Sequence, residues 1–162
     1  MKKTIIAFVA VLATSSLMAG GDFQPEAVPV AAVPAKSCNE NTVFREKDVD
    51  LMWQDATYTD AEHGAFKREY SLGKAGTQSH AARYCQSLNY AGYLDWRLPT
   101  SDELTHVHNI EGQVFDNITD NDFWSSTPTE RSKYYVVFPA DAMIYARAPR
   151  QSNYVRCVRC TK

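Results

Sequence analysis

The 162-residue sequence is short of the parts from which most catalytic and nucleotide-binding sites are made. It has only 7 glycines, none in a G-x-G-x-x-G or G-x-x-x-x-G-K-S/T run, so no loop is suited to cradling a phosphate. Ser125 and Ser126 lie outside any G-x-S-x-G turn, which leaves a serine nucleophile without local support. Only 4 histidines are present. His63 and His80 stand alone, and His106 and His108 on one helix would sit about 200° apart around its axis, so they share no ligand face. No metal or cofactor is expected on these grounds. No repeat of fixed period is visible. A net charge of −2 makes nucleic acid a poor partner. The one long apolar run, Thr4 to about Leu12, is too short to span a bilayer comfortably.

That run follows Lys2 and Lys3 and leads into Leu17-Met18-Ala19-Gly20. The pattern reads as a secretory signal over residues 1–19, cut near Ala19, and places the mature protein in the periplasm or outside the cell; an uncleaved anchor is the alternative. Residues 20–37 repeat Pro, Val and Ala without helical or strand period and are expected to form an extended linker. Residues 38–162 then make one domain of ordinary size.

All 4 cysteines fall in that domain, which in an exported chain suggests two disulfides. "NYVRCVRC" has strand character, so Cys157 and Cys160 lie on opposite faces about 10 Å apart. That is beyond the roughly 7 Å reach of a bridge, and it also weakens a zinc or redox reading of Cys-Val-Arg-Cys. In the predicted helix "TQSHAARYCQSLN", Ala81, Tyr84, Cys85 and Leu88 form one apolar stripe, turning Cys85 inward. Cys157 shares a strand face with Val155. The expected pairs are therefore Cys85 with Cys157 and Cys38 with Cys160, the second tying the ends of the domain together.

Short strands are expected at 42–44 and 51–54, a polar insertion at 55–76, and helices at about 78–89 and 101–109. The second helix is announced by Thr100 and Glu103, a capping box, with Pro99 stopping the strand before it. The segments "FWSST", "KYYVVF", "MIYAR" and "NYVRCVR" read as strands. The order predicts an α+β domain with two helices and a small twisted antiparallel sheet.

"DLMWQD" (50–55), "AARYCQSLNYAGYLDWRLPTSDEL" (81–104), "FWSST" (123–127) and "YVRCVR" (154–159), in this order, resemble the Lcl C-terminal-like domain family. The resemblance implies a fold similar to C-type lectins and the formylglycine-generating enzyme, with adjacent N- and C-terminal strands and a helix cysteine bridged to the last strand. It also implies adhesion as the family's kind of work. Where the family carries Thr-Gly before Leu-Met-Trp, this chain has Val49-Asp50.

Trp53, Trp96, Leu98 and Trp124 are expected in the core, with Ser125 beside them, while Arg97, Asp95, Pro99 and the capping residues hold the loop. The Glu-Pro-Asn and Trp-Asn-Asp elements with which C-type lectins bind calcium and sugar are absent. Acidic residues at 116–122 are read as a solvated loop. Residues 38–127 hold 7 Lys and Arg against 15 Asp and Glu, whereas 128–162 hold 7 against 2. A basic surface of Arg131, Lys133, Arg147, Arg150 and Arg156 could grip an anionic glycan; the alternative is that these arginines pair with the acidic remainder. The expected function is a lectin-like binding module for glycans or surface ligands, with a structural domain that binds only envelope protein as the alternative. Redox catalysis is disfavoured because all four thiols are assigned to bridges.

Overall fold

The computed structural model of the protein describes residues 42–162. The expected signal, the linker and Cys38 lie outside the described residues. Strands β1 (Val43–Glu46) and β2 (Leu51–Gln54) are followed by helix α1 (Asp60–Lys67), strand β3 (Ala75–Gly76), and helices α2 (Gln78–Gln86) and α3 (Ser101–His108). Strands β4 (Phe123–Pro128), β5 (Tyr134–Phe138), β6 (Met143–Arg147), β7 (Asn153–Tyr154) and β8 (Val158–Cys160) complete the order. Two sheets result, β1-β2-β8 and β3-β7-β4-β5-β6. Among the described residues no helix is long and apolar enough to cross a membrane.

The α+β expectation holds, with corrections of detail. Among the described residues there are three α-helices. Helix α1 lies in the stretch read as an insertion, begun by a capping box in which Thr59 and Glu62 satisfy each other's backbone donors. The five-stranded sheet is mixed, because β4 and β7 run parallel at Phe123 and Tyr154, while the three-stranded sheet is antiparallel. "NYVRCVR" is two strands, since the chain leaves one sheet after Tyr154 and joins the other at Val158. Between them, Val155 N–H donates to the Lys74 carbonyl and the Cys157 carbonyl accepts from Gln54 N–H, both at 2.9 Å.

The crossing segment carries the disulfide. Cys85, wholly buried on the inner stripe of α2 with Ala81, is bonded to Cys157, their Cα atoms 5.5 Å apart. One disulfide is seen and not the two expected: Cys160 is exposed and unbridged, and its expected mate Cys38 lies outside the described residues. The first and last strands also do not adjoin, because β2 runs between them.

The tryptophan-rich stretch is scaffold. Trp53, Trp124 and Ser125 are fully buried, and Trp96 and Leu98 nearly so. Pro99 is buried beside them. Each indole N–H has an acceptor: Glu46 Oε2 for Trp53 at 2.7 Å, the Tyr90 carbonyl for Trp96 at 3.2 Å and the Gly76 carbonyl for Trp124 at 2.7 Å. Arg97 grips the Glu103 carboxylate with both terminal nitrogens, at 2.7 and 2.6 Å, instead of loop carbonyls. Its backbone pairs with Val158, which ties the loop to β8. Asp95 accepts two hydrogen bonds from Arg159. Asp50, in the place of the family's glycine, takes the left-handed conformation, φ 55° and ψ 41°, that glycine would adopt without a Cβ clash.

Candidate functional site

The β5–β6 hairpin places the side chains that matter. Strands β5 and β6 pair over their whole lengths, from Phe138 opposite Met143 to Tyr134 opposite Arg147. Among the described residues the other edge of β6 has no strand, and Met143 to Ala146 are exposed. Alternation puts Tyr145 and Arg147 on one face, with the guanidinium 5.6 Å from the ring centroid.

Arg147 is held by Asp122, immediately before β4. Its Nε donates to Asp122 Oδ2 at 2.8 Å, and Nη2 reaches the same oxygen at 2.7 Å. Both donors converge on one carboxylate oxygen, so Oδ1 is left without a partner among the described residues. Asp122 is 9% exposed, close enough to solvent to meet a ligand but fixed by its pair. Phe66, Phe138 and Tyr145 give the surrounding cleft, about 400 Å³, its apolar walls, while Asn121, Gln151 and Asn153 line it with amides. Asn153 is 4% exposed, and its Nδ2 is buried without an acceptor among the described residues. The charged residues of the cleft are Glu69, Asp122 and Arg147, so it carries no excess of positive charge.

The five basic residues expected to form one surface are dispersed. Arg156 is a correction: it is 1% exposed, with Nη1 3.1 Å from Asp55 Oδ1, Nη2 donating to the Asn117 carbonyl and the guanidinium 3.7 Å from the Phe115 centroid. A buried carboxylate and an aromatic face have drawn it inward, as ion pairing requires of a buried arginine. Arg147 is in the cleft. Arg131 and Lys133 are exposed on the β4–β5 connection and line a separate groove of about 310 Å³ with Tyr135 and Ala146. Ala146 alternates with Arg147, so that groove opens on the opposite face of the strand. Arg150 is exposed and lines neither.

Of the acidic residues at 116–122, Asp122 holds Arg147, while Asp116 and Asp120 are exposed; the loop is fastened by its backbone, Asp116 and Asn117 donating N–H groups to Asp55. No group of three His, Cys, Asp or Glu able to hold a metal occurs among the described residues. The histidines are dispersed: His63 Nδ1 meets Tyr154 Oη at 2.6 Å, His80 Nε2 the Gly73 carbonyl at 2.8 Å, and His106 Nε2 Glu46 Oε1 at 3.0 Å. Burial, helped by the charge of Arg156, lowers the pKa of His108 to about 4. A further cavity, about 540 Å³, lies beside Tyr84 and Tyr90, where Lys74 Nζ is neutralised by Glu62 Oε2 at 3.0 Å.

Reading the sequence for charge found Arg147 but missed its neighbours Tyr145, Asp122 and Asn153. One signal was available: in "MIYAR", alternation alone puts Tyr145 on the Arg147 side. The pairing with Asp122, 25 residues away, carries no sequence signal.

A comparison with family models matches residues 42–159 to the Lcl C-terminal domain. Comparison with curated proteins returns no match.

Proposed function

The chain belongs to the Lcl C-terminal domain family, and from that premise we propose that it is an exported, lectin-like binding module whose ligand is a glycan held in the Tyr145–Arg147 cleft. The observation that carries this reading is the combination of an exposed tyrosine ring with an Asp122–Arg147 pair at its side. A pyranose has a C–H face suited to an aromatic ring and neighbouring hydroxyls that both donate and accept. Asp122 Oδ1 can accept from one hydroxyl while a guanidinium N–H donates to the next. Because Glu69 and Asp122 outnumber Arg147, an uncharged glycan fits this cleft better than a sulfated one. A sulfated chain would be met by Arg131 and Lys133 on the other face.

A glycan array read at two ionic strengths tests this. Uncharged glycans are expected to bind at both salt concentrations, and Arg147→Ala or Tyr145→Ala to weaken them at least about tenfold, the loss of one well-placed polar or ring contact. An array that stays blank, or binding that ignores both substitutions, sinks the reading.

Met143, Ile144 and Tyr145, 50%, 42% and 39% exposed on an unpaired edge, favour a second reading, docking of an envelope protein by strand addition. A blank array together with a pull-down from envelope extract that Ile144→Lys abolishes would select it. Catalysis is not proposed. Cys160 keeps its thiol, which corrects the expectation that every cysteine is bridged, but Cys85 and Cys157 are joined to each other and fully buried.

A further inference from the structure

Resting on the glycan reading of the same cleft, the geometry points to a narrower ligand class: we infer that the cleft selects sugars bearing a 2-acetamido group, with Asn153 as the residue that reads it.

Asn153 belongs to β7, where its backbone pairs with Gly76, so its position is fixed by the sheet. Its side chain lines the cleft, is 4% exposed and has an Nδ2 with no acceptor among the described residues. A buried amide donor without a partner is unfavourable, and a half-turn of the side chain that brings Nδ2 to the cleft lets a ligand carbonyl complete it. The side-chain torsion of asparagine is broad and two-fold, so a half-turn exchanges Nδ2 and Oδ1 and presents either a donor or an acceptor to the cleft. An acetamido group offers a carbonyl oxygen and an N–H, one for each orientation. A ring hydroxyl also has both functions, but it lacks the second requirement of this place.

That requirement is apolar. Phe66 from α1 and Phe138 from β5 line the cleft with Tyr145, so it offers apolar ring surface beside its amides. An acetamido methyl beside the amide would use it, whereas a hydroxyl would leave it wet. The charges exclude the other common substituents. A sulfate or carboxylate would meet Asp122 and Glu69, and the one cation, Arg147, is already engaged by Asp122.

Isothermal titration of the full chain with triacetylchitotriose and with cellotriose tests the inference, because the two share linkage and charge and differ in the acetamido groups. The acetylated trimer is expected to bind at least about tenfold more tightly. Asn153→Asp, which replaces the donor with a carboxylate, is expected to reduce that preference to less than about threefold. Tyr145→Ala is expected to weaken both trimers by a similar factor. Equal affinity of the wild-type chain for the two trimers overturns the acetamido inference and leaves the glycan reading standing. Survival of the preference in Asn153→Asp overturns the role of Asn153. If neither trimer binds, and the glycan array is blank as well, both readings fall together. The wild-type comparison decides the class of ligand even if Asn153→Asp does not fold.

Discussion

The guanidinium of Arg156 lies over the ring of Phe115 at 3.7 Å, with the Asp55 carboxylate 3.1 Å from its Nη1. Asp55 also accepts the backbone N–H groups of Asp116 and Asn117, so one buried ion pair fastens the crossing segment, the end of β2 and the 116–122 loop. Truncating Arg156 leaves a carboxylate that is 2% exposed without its counter-charge. Arg156→Ala is expected to cost about 3–5 kcal/mol in urea unfolding, and Arg156→Lys most of that, since an ammonium cannot reproduce the stacked, forked contact. A loss below about 1 kcal/mol for Arg156→Ala would show that the pair contributes little.

The Cys85–Cys157 bridge closes a loop with a sequence separation of 72. In the chain-entropy account, a loop of that length is worth about 4 kcal/mol. Cys85→Ser with Cys157→Ser is expected to lower unfolding free energy by about 2–5 kcal/mol, measured against the oxidised parent in urea. Cys160→Ser, which touches no bridge, is expected to leave the midpoint unchanged.

His108 has its pKa lowered from 6.5 to about 4 by burial and then by the charge of Arg156. In the unfolded chain it gains a proton near pH 6.5, but in the folded chain only near pH 4. Between those values the unfolded state binds more protons, so this contribution is fully present above pH 6.5 and is lost as pH falls toward 4. It is on the order of 2 kcal/mol, and His108→Gln is expected to remove that part of the slope. Parallel unfolding curves of parent and variant at pH 7 and pH 5 decide it; identical pH slopes would refute it.

Glu103 holds Arg97 and also caps α3 through Thr100 N–H at 2.8 Å. Arg97 and the cap hydrogen bonds outweigh burial and hold its carboxyl below the usual range. Its contribution is therefore present at neutral pH and lost as pH falls through the lowered folded-state value. Thr100→Ala is expected to cost about 1 kcal/mol. Glu103→Gln keeps a capping acceptor but loses the ion pair, so its deficit relative to the parent should shrink on acidification.

Asp50 sits in left-handed backbone at φ 55°. Asp50→Gly is expected to raise stability by about 0.5–1 kcal/mol, because the Cβ clash it relieves outweighs a solvent-exposed ion pair to Lys162. Thermal melts of the two proteins would show it.

Elements with local signatures were legible in the sequence. Helix α2 and its disulfide followed from the spacing of Ala81, Tyr84, Cys85 and Leu88, and α3 from its capping box. Helix α1 was missed although Thr59 and Glu62 form the same box, because Glu62 and Ala65 are its only buried residues and no apolar stripe announces it. The run 153–159 was read as one strand because its alternation is continuous; what interrupts it is the inward turn of Arg156 toward Asp55, 101 residues earlier. The same long-range pairing explains why counting charges suggested a single basic face. Asp122 and Asp55 each take an arginine whose position in the chain gives no sign of its partner.

Strand β8, the last of the described strands, forms an edge of its sheet beside β2 and is tied at Val158 to the Arg97 backbone. A nascent chain therefore has no means of completing its three-stranded sheet, or of closing the Cys85–Cys157 clasp, until nearly all of residues 42–160 have emerged. Closing the clasp is therefore a late step, and an oxidant that met Cys85 earlier would find no native mate for it.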